Sequence, residues 1–526
     1  PSDAAAADKQ VMRWTTPTNP GTLEYNGSYY GGGISQLFAP PQAYDANYNI
    51  VDHAVQFVEK NADSTLYTYR VPDGAKWSNG QPMTAEDWVF SFKYAVDPKR
   101  TTNSAATLFY EIKGAEDYHK GSGSLDAIGV KAVDERTFQI EMRRPFALWP
   151  LINAYWSSTP VYKPAVEQYG ESWTQEGRIV SNGPFKLDSW KQDQVLTAVP
   201  NEGWVGEKPL LSRLEYYVIG PEAGILPYEN DEVDFVIIPA QEWPRVRADA
   251  KLKEQVQQYA EINTWYLVGE VTQPPFDDKR VRLAMHKAID RDTLSERVLQ
   301  GLGVPAYDFI APEIPIGRVG DEPEVQALLK YDPKGALAAL KGTAHEGGTN
   351  WPSTITLGFP NTRDPAVSRP MSEAIALMLR ETLKMPVEVQ GVENRTYVAQ
   401  QFSANRPYHL SMWAWTADYP HPENYWLPVF SSTPPIDKRR HAFSDKEFDE
   451  LIAKAGGITD EREQENVYKQ IGRRLITEAH ATPLIHRRRA DLYKPRVGGL
   501  PRNEQGEIPQ SNIYRLFNQA IYIKKT

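Results

Sequence analysis

The stretch most able to do chemistry is WAWTADYPHPENYW, from Trp413 to Trp426, where a single Asp418 sits amid three Trp and two Tyr. A carboxylate enclosed by ring surface is costly alone and becomes tolerable when a hydrogen-bonded cation joins it. That chemistry is recognition of an ammonium group. An Asp in this position also serves as a turn former before Pro420, so both roles stay open on the residues alone. Trp413, Trp415, Tyr266 and Tyr110 are candidate ring walls for a pocket, and each is equally at home in a core. Trp415, Thr416 and Ala417 read as extended chain, able to offer backbone groups to an added strand.

Reaction chemistry is not legible elsewhere. The chain has no GxSxG elbow, no HExxH and no GxxxxGK[ST] loop. It has no cysteine, which removes disulfides, thiolate metal sites and Cys nucleophiles. DANYNIVDHAVQ (Asp45–Gln56) places Asp, Asn and Asn as a calcium loop would. It lacks the Gly and the closing Glu, and reads as a hairpin turn. The GGG run at 31–33 lacks the partner glycines of a dinucleotide fingerprint. His480 and His486 flank Pro483 and read as structural rather than as metal ligands. No metal site and no cofactor is expected, and the expectation is a binding protein rather than an enzyme.

The elements that must position these residues are mixed. Thr84 with Asp87 forms a capping box ahead of a helix burying Trp88, Phe92 and Ala95. STLYTYRVPDGAKW reads as a strand with Leu66, Tyr69 and Val71 inward, then a turn. IGVKAVDERTFQIEM and NGPFKLDSWKQDQVLTAVPNEGW read as hairpins. In the second half, Asp290 divides two short helices and Gly301 closes the second. Asp332 caps a helix with Pro333 in its first turn. Two longer amphipathic helices cover SRPMSEAIALMLRETLKM and DEREQENVYKQIGRRLITEA, the latter with Val467, Ile471 and Leu475 as its stripe. Strands and helices interleave from end to end over 526 residues, which predicts several mixed α/β lobes.

Charge and hydropathy narrow the partners. The formal net charge is −10, which argues against nucleic acid, since phosphate binding needs a basic face. Mean hydropathy is −0.54, and the most apolar run, PFALWPLINAYW, is far short of the ~18 residues a membrane helix needs. The start PSDAAAADKQ reads as a mature or trimmed form of an exported protein.

Seven segments in order carry a resemblance: YTYRVPDGAKWSNGQPMTAEDWVFSFKYAVDP, GESWTQEGRIVSNGPFKL, NDEVDF, TQPPFDDKRVRLAMHKAIDRDTL, GVPAYDFIAP, WTADYPHPENYW and YKPRVGG. Together they span nearly the whole chain. The sequence resembles the extracellular solute-binding proteins of family 5, the peptide and nickel class of ABC importers, and is most similar to the oligopeptide-binding group. The resemblance implies a three-lobed clamp of the type II periplasmic-binding (Venus-flytrap) class, α/β with mixed sheets and flanking helices. Lobe I would comprise 1–40, 166–262 and 489–526, lobe II 41–165 as a small extension, and lobe III 263–488. The hinge would lie near 263 and 488, with the ligand engulfed between lobes.

In peptide-binding members W-x-x-D-Y carries the Asp that pairs with the ligand α-amine, which implies that role for Asp418. Where relatives have paired cysteines, this chain has Asn263 and Thr416, and Thr416 is expected to hydrogen-bond instead. Where relatives hold the carboxylate of short peptides, it has Leu299 and Met412. The site for longer peptides falls near Arg363 to Ala366, and Arg363, Arg369 and Arg487 are candidate substitutes. The implied partners are a peptide with a free N-terminus and the membrane subunits of an ABC permease, with the protein a monomer. The implied place is periplasmic or extracellular, with lipid anchoring open. The alternatives are the same fold holding a single cationic amino acid, an opine, a nickel chelate or a sugar, and, behind these, an enzyme or chaperone.

Overall fold

The computed structural model describes residues 9–28, 32–101, 103–239, 241–314, 316–362, 364–504, 506–509 and 519–525. The chain divides into two compact units, residues 1–259 with 490–526, and residues 260–489. Both boundaries fall inside strands, β12 (Val256–Gly269) and β17 (Thr482–Tyr493).

The first unit carries two four-stranded sheets. One has the order β1 (Val11–Thr16), β10 (Arg213–Val218), β9 (Val195–Pro200), β8 (Phe185–Lys191), with β1 parallel to β10 and the rest antiparallel. The β8–β9 hairpin is the one expected from NGPFKLDSWKQDQVLTAVP. The other sheet has the order β4 (Gln56–Lys60), β5 (Leu66–Arg70), β7 (Thr137–Glu141), β6 (Val130–Ala132), antiparallel throughout. The inward side of β5 differs from expectation at one residue, Leu66, in place of which Tyr67 is buried. Tyr67, Tyr69 and Val71 are buried and Leu66 is only half-buried, as the two-residue period of a strand requires of residues of one parity.

Helix Ala85–Ala95 lies on this sheet, with the expected capping box: the Thr84 N–H and hydroxyl both donate to Asp87 Oδ2, at 2.8 and 3.1 Å. Its Trp88 stacks on Phe138 of β7 at 5.9 Å. The Asp45 segment is a hairpin turn between β2 (Gln42–Tyr44) and β3 (Ile50–Asp52), in which Asp45 accepts from its own loop amides. Strand β11 (Phe235–Ile237) pairs with the far end of β17, and β18 (Val497–Gly498) with β19 (Tyr522–Ile523). Met12, Leu196, Leu214 and Phe185 anchor the core between β1 and β8.

The ion pair Arg100–Glu24 is buried in this unit, 2.9 Å apart with side chains 3% and 1% exposed. Arg100 also donates to Asn26 and to the Tyr94 carbonyl and lies 4.0 Å over the Tyr94 ring.

The second unit is built on a mixed sheet of order β17, β12, β16 (Leu410–Thr416), β14 (Ile355–Pro360), β15 (Val387–Val392), with β13 (Gly303–Pro305) on β17. Helix Lys279–Ala288, the Asp332-capped helix Pro333–Ala339 and helix Pro365–Leu383 cover it through Val281, Met285, Ala336, Ile375 and Leu379. Helix Glu461–Thr477 buries Val467, Ile471 and Leu475 as its pattern predicts.

Five histidines of this unit, His286, His421, His441, His480 and His486, are buried. Burial drives His286, His421 and His486 each down to about 3. An unfolded histidine titrates near 6.5, so each contributes stability that is present above that pH and is lost as pH falls towards its folded value. His286→Gln removes one such group. Between pH 7 and 5 the wild type is expected to lose about 2 kcal/mol more than this variant. Urea unfolding at the two pH values measures it, and identical slopes would show that this imidazole is not held neutral.

Candidate functional site

Strand β16 is where sequence and packing converge. Leu410 to Ala414 are buried, and Trp415 and Thr416 are half-buried. Its rings and Thr suit a pleated, half-covered surface. It pairs antiparallel with β12 over its whole length, from Gly269↔Leu410 to Asn263↔Thr416. Its parallel ladder to β14 uses only Leu410 and Ser411. Further along, the Met412 carbonyl accepts from the Tyr397 hydroxyl at 2.8 Å. Among the described residues, no strand ladder lies on this edge beyond Ser411.

At the end of the strand the chain is pinned before it turns. Asn263 Nδ2 donates to Thr416 Oγ1 at 2.7 Å, the hydrogen bond expected where relatives carry cysteines. The Ile262 carbonyl accepts both the Ala417 N–H and the Tyr425 hydroxyl, each at 2.9 Å. Asp418 follows, half-buried. Its N–H donates to Asn424 Oδ1 at 2.8 Å, and Asn424 Nδ2 donates to Asp418 Oδ2 at 3.3 Å. The same Asn424 Oδ1 accepts from Trp415 Nε1 at 3.3 Å. One buried carboxamide therefore sets the backbone, the carboxylate and the neighbouring indole together.

Sequence reasoning left out Asn424. The available signal was a short carboxamide inside the ring-rich stretch that holds Asp418. It also left out Arg440, whose guanidinium lies 4.7 Å over Trp415, 5.4 Å over Trp413 and 5.7 Å over Phe402. No local spacing announces that contact, because it is made by a loop distant in sequence.

Of the other candidate residues, Tyr266 stands opposite Trp413 in the ladder but is core. It is 1% exposed, packs on Phe309 and Phe430, and its hydroxyl lies 3.1 Å from His441 Nε2. Trp413 is 3% exposed, against Tyr397 and His441. The Tyr266 hydroxyl and the faces of both rings are occupied inside the unit, and Trp413 Nε1 is buried with no hydrogen-bond partner among the described residues, so neither is an open ring wall there. Tyr110 belongs to the first unit, half-buried, with its hydroxyl 3.0 Å from His119 Nδ1.

Arg487 of β17 lies 2.7 Å from Asp364 and 3.8 Å from Glu261, so its charge is already matched within the unit. Arg369 is exposed on helix Pro365–Leu383, 3.6 Å from Glu373. Arg363 lies outside the described residues. Leu299 and Met412 are buried apolar core. His480 Nε2 donates to Asp445 Oδ2 at 2.9 Å and His486 meets Thr264 at 3.0 Å, which are structural roles for the pair considered as metal ligands.

The arrangement can therefore hold a cation at Asp418 and offer an extended chain the edge of β16 that, among the described residues, carries no strand ladder beyond Ser411, with the Arg440 guanidinium over the Trp415 ring. The sequence profile of the bacterial extracellular solute-binding proteins, family 5 (middle region), matches residues 50–436.

This chain belongs to that family.

Among family 5 relatives, the periplasmic oligopeptide-binding protein OppA of Salmonella typhimurium is 27% identical over 464 residues, covering 86% of this chain and 82% of its own. The probable deoxycholate-binding periplasmic protein YgiS of Escherichia coli is 26% identical over 543 residues, covering 100% of this chain and 95% of its own. The solved structure of MppA, a periplasmic murein tripeptide binding protein in its unliganded open form, superposes with a TM-score of 0.81 at 24% identity, covering 100% of this chain and 99% of that one. The α/β fold expected from the resemblance is thus the family 5 fold. Among the described residues no helix is long and apolar enough to cross a membrane.

Proposed function

We propose that this protein captures extended peptides by their free N-terminal amine and hands them to the membrane subunits of an ABC importer, acting by binding and not by catalysis. The observation that carries the reading is Asp418: a half-buried carboxylate fixed by Asn424 at the end of a strand whose edge, among the described residues, carries no ladder beyond Ser411. An ammonium ion meets the charge, and peptide main chain meets the edge of Ala414 to Ala417 without reading side chains. Relatives named for oligopeptide binding support it. The three-lobe division, with 41–165 as an extension and a hinge near 263 and 488, belongs to the same proposal, as do action as a monomer and a periplasmic or lipid-anchored cell-surface place.

A second reading has its own support. The relative named for deoxycholate matches the full length of this chain. An apolar acid would use the Trp415 face and Arg440 rather than Asp418. Mass spectrometry of small molecules released on denaturing the purified protein separates the two. Peptides support the first reading, and a sterol-like acid with no peptide overturns it.

Asn424→Ala tests the clamp. It leaves the Asp418 N–H and the Trp415 indole N–H without their shared acceptor. Affinity for a free-amine peptide is expected to fall by roughly tenfold, about the worth of one or two buried hydrogen bonds. Calorimetry on refolded, ligand-free protein measures this, with circular dichroism to show that the fold persists. Unchanged affinity would remove Asn424 from the site.

A further inference from the structure

The net charge of the chain is −10, yet one region of the first unit gathers cations. Arg13, Lys494 and Arg496 share two carboxylates, Asp231 and Asp234, through contacts of 3.0, 3.1, 2.7 and 2.6 Å. Lys494 also lines a cavity of about 350 Å³, a volume typical of small-molecule sites. The other walls come from the start of β12, from the chain that leaves β17 through β18, and from Lys524 just past β19. All of them belong to the first unit.

Two cations of this cavity lack an acid. Arg502 Nη1 donates to the Gly506 carbonyl at 2.6 Å, and its Nη2 donates to Gln257 Oε1 at 2.7 Å. Lys524 Nζ donates to the Pro495 carbonyl at 3.4 Å. These acceptors are neutral, and among the described residues neither cation has a carboxylate within ion-pair distance. A guanidinium carries five N–H donors and an ammonium three, so both have donors left over. Gln257 adds to them: Arg502 occupies its oxygen, and among the described residues its carboxamide nitrogen has no hydrogen-bond partner. Part of the wall is bare backbone for a steric reason. A Cβ on Gly498 would lie 2.5 Å from the Tyr522 ring, and one on Gly499, at φ +70°, would strike the Ala520 carbonyl oxygen. Among the described residues lining the cavity Glu254 is the single acid, and it is exposed.

We propose that this cavity binds a phosphate ester with a small polar body. Phosphate oxygens take donors from several directions, and up to two negative charges match Arg502 and Lys524 through charge-assisted hydrogen bonds. A carboxylate has one charge and would leave one of the two cations unmatched. The organic part of the ester fills the volume that phosphate alone leaves empty. A free ester and a lipid headgroup share this chemistry. The cavity uses none of the residues around Asp418, so it stands or falls separately from the peptide reading.

Calorimetry of the full chain with glycerol 3-phosphate is the first arm of the test, and co-sedimentation with phosphatidylglycerol vesicles, against phosphatidylcholine vesicles, is the second. Binding of glycerol 3-phosphate is expected below about 1 mM. Arg502→Gln and Lys524→Gln are each expected to weaken it at least about tenfold, the worth of one charge-assisted hydrogen bond. Arg502 is exposed and Lys524 half-buried, so neither change opens the core, and circular dichroism checks that the fold persists. Binding of glycerol 3-phosphate that both variants lose supports the inference and assigns a free ester. Binding to phosphatidylglycerol vesicles alone, lost in both variants, supports it and assigns a lipid headgroup. No binding in either arm, or binding that either variant keeps at full strength, overturns it.

Discussion

Asp418→Asn is expected to weaken binding of a peptide with a free α-amine by about 2–5 kcal/mol, roughly 30-fold to several-thousand-fold. Asparagine keeps the shape of the side chain and one oxygen, so the contact from Asn424 Nδ2 to this side chain can persist. What is removed is the charge that offsets a desolvated ammonium. An N-acetylated version of the same peptide has no such charge, and the wild type is expected to bind it poorly. Measuring both peptides on both proteins closes a double-mutant cycle. A coupling energy near zero would show that Asp418 only shapes the turn before Pro420.

Arg100→Met is expected to destabilise the first unit by about 3–5 kcal/mol. The methionine fills much of the volume, but Glu24 is left as a buried charge without its 2.9 Å partner. Asn26 loses two donors, and the Tyr94 carbonyl loses one. The penalty is that of the stranded carboxylate, so Arg100→Met combined with Glu24→Gln is expected to recover part of it. Urea unfolding followed by circular dichroism measures both. A single variant within 1 kcal/mol of wild type would show that this pair is not closed to water.

Much of the frame was legible because it is written locally. The Thr84–Asp87 box, the Asp332–Pro333 start and the Val467–Ile471–Leu475 stripe each depend on neighbours three or four residues away, and each stands where the pattern puts it. On β5 Tyr69 and Val71 are buried as read, and only Leu66 was misplaced, through parity. The site was half legible. Asp418 stood out as a lone acid among rings. The roles of Tyr266 and Trp413 could not be separated from the sequence, because a ring in a core and a ring in a wall have the same composition. What decides between them is contact with Phe309, Phe430 and His441, residues remote in the chain. Arg487 looked like a spare cation until Asp364, also remote, was found 2.7 Å from it.

The position of the two unit boundaries has a consequence for engineering. Residues 260–489 form one uninterrupted insert, entered through β12 and left through β17, which are neighbours in its sheet. Its two ends stay together, with Glu261 3.7 Å from Arg489. A segment that begins and ends at one place behaves as a cassette. It can be exchanged for the matching segment of another family 5 protein with two splice points, and those splices should keep β12 and β17 as a matched pair, because a join made in only one of them would set a foreign strand against a native one.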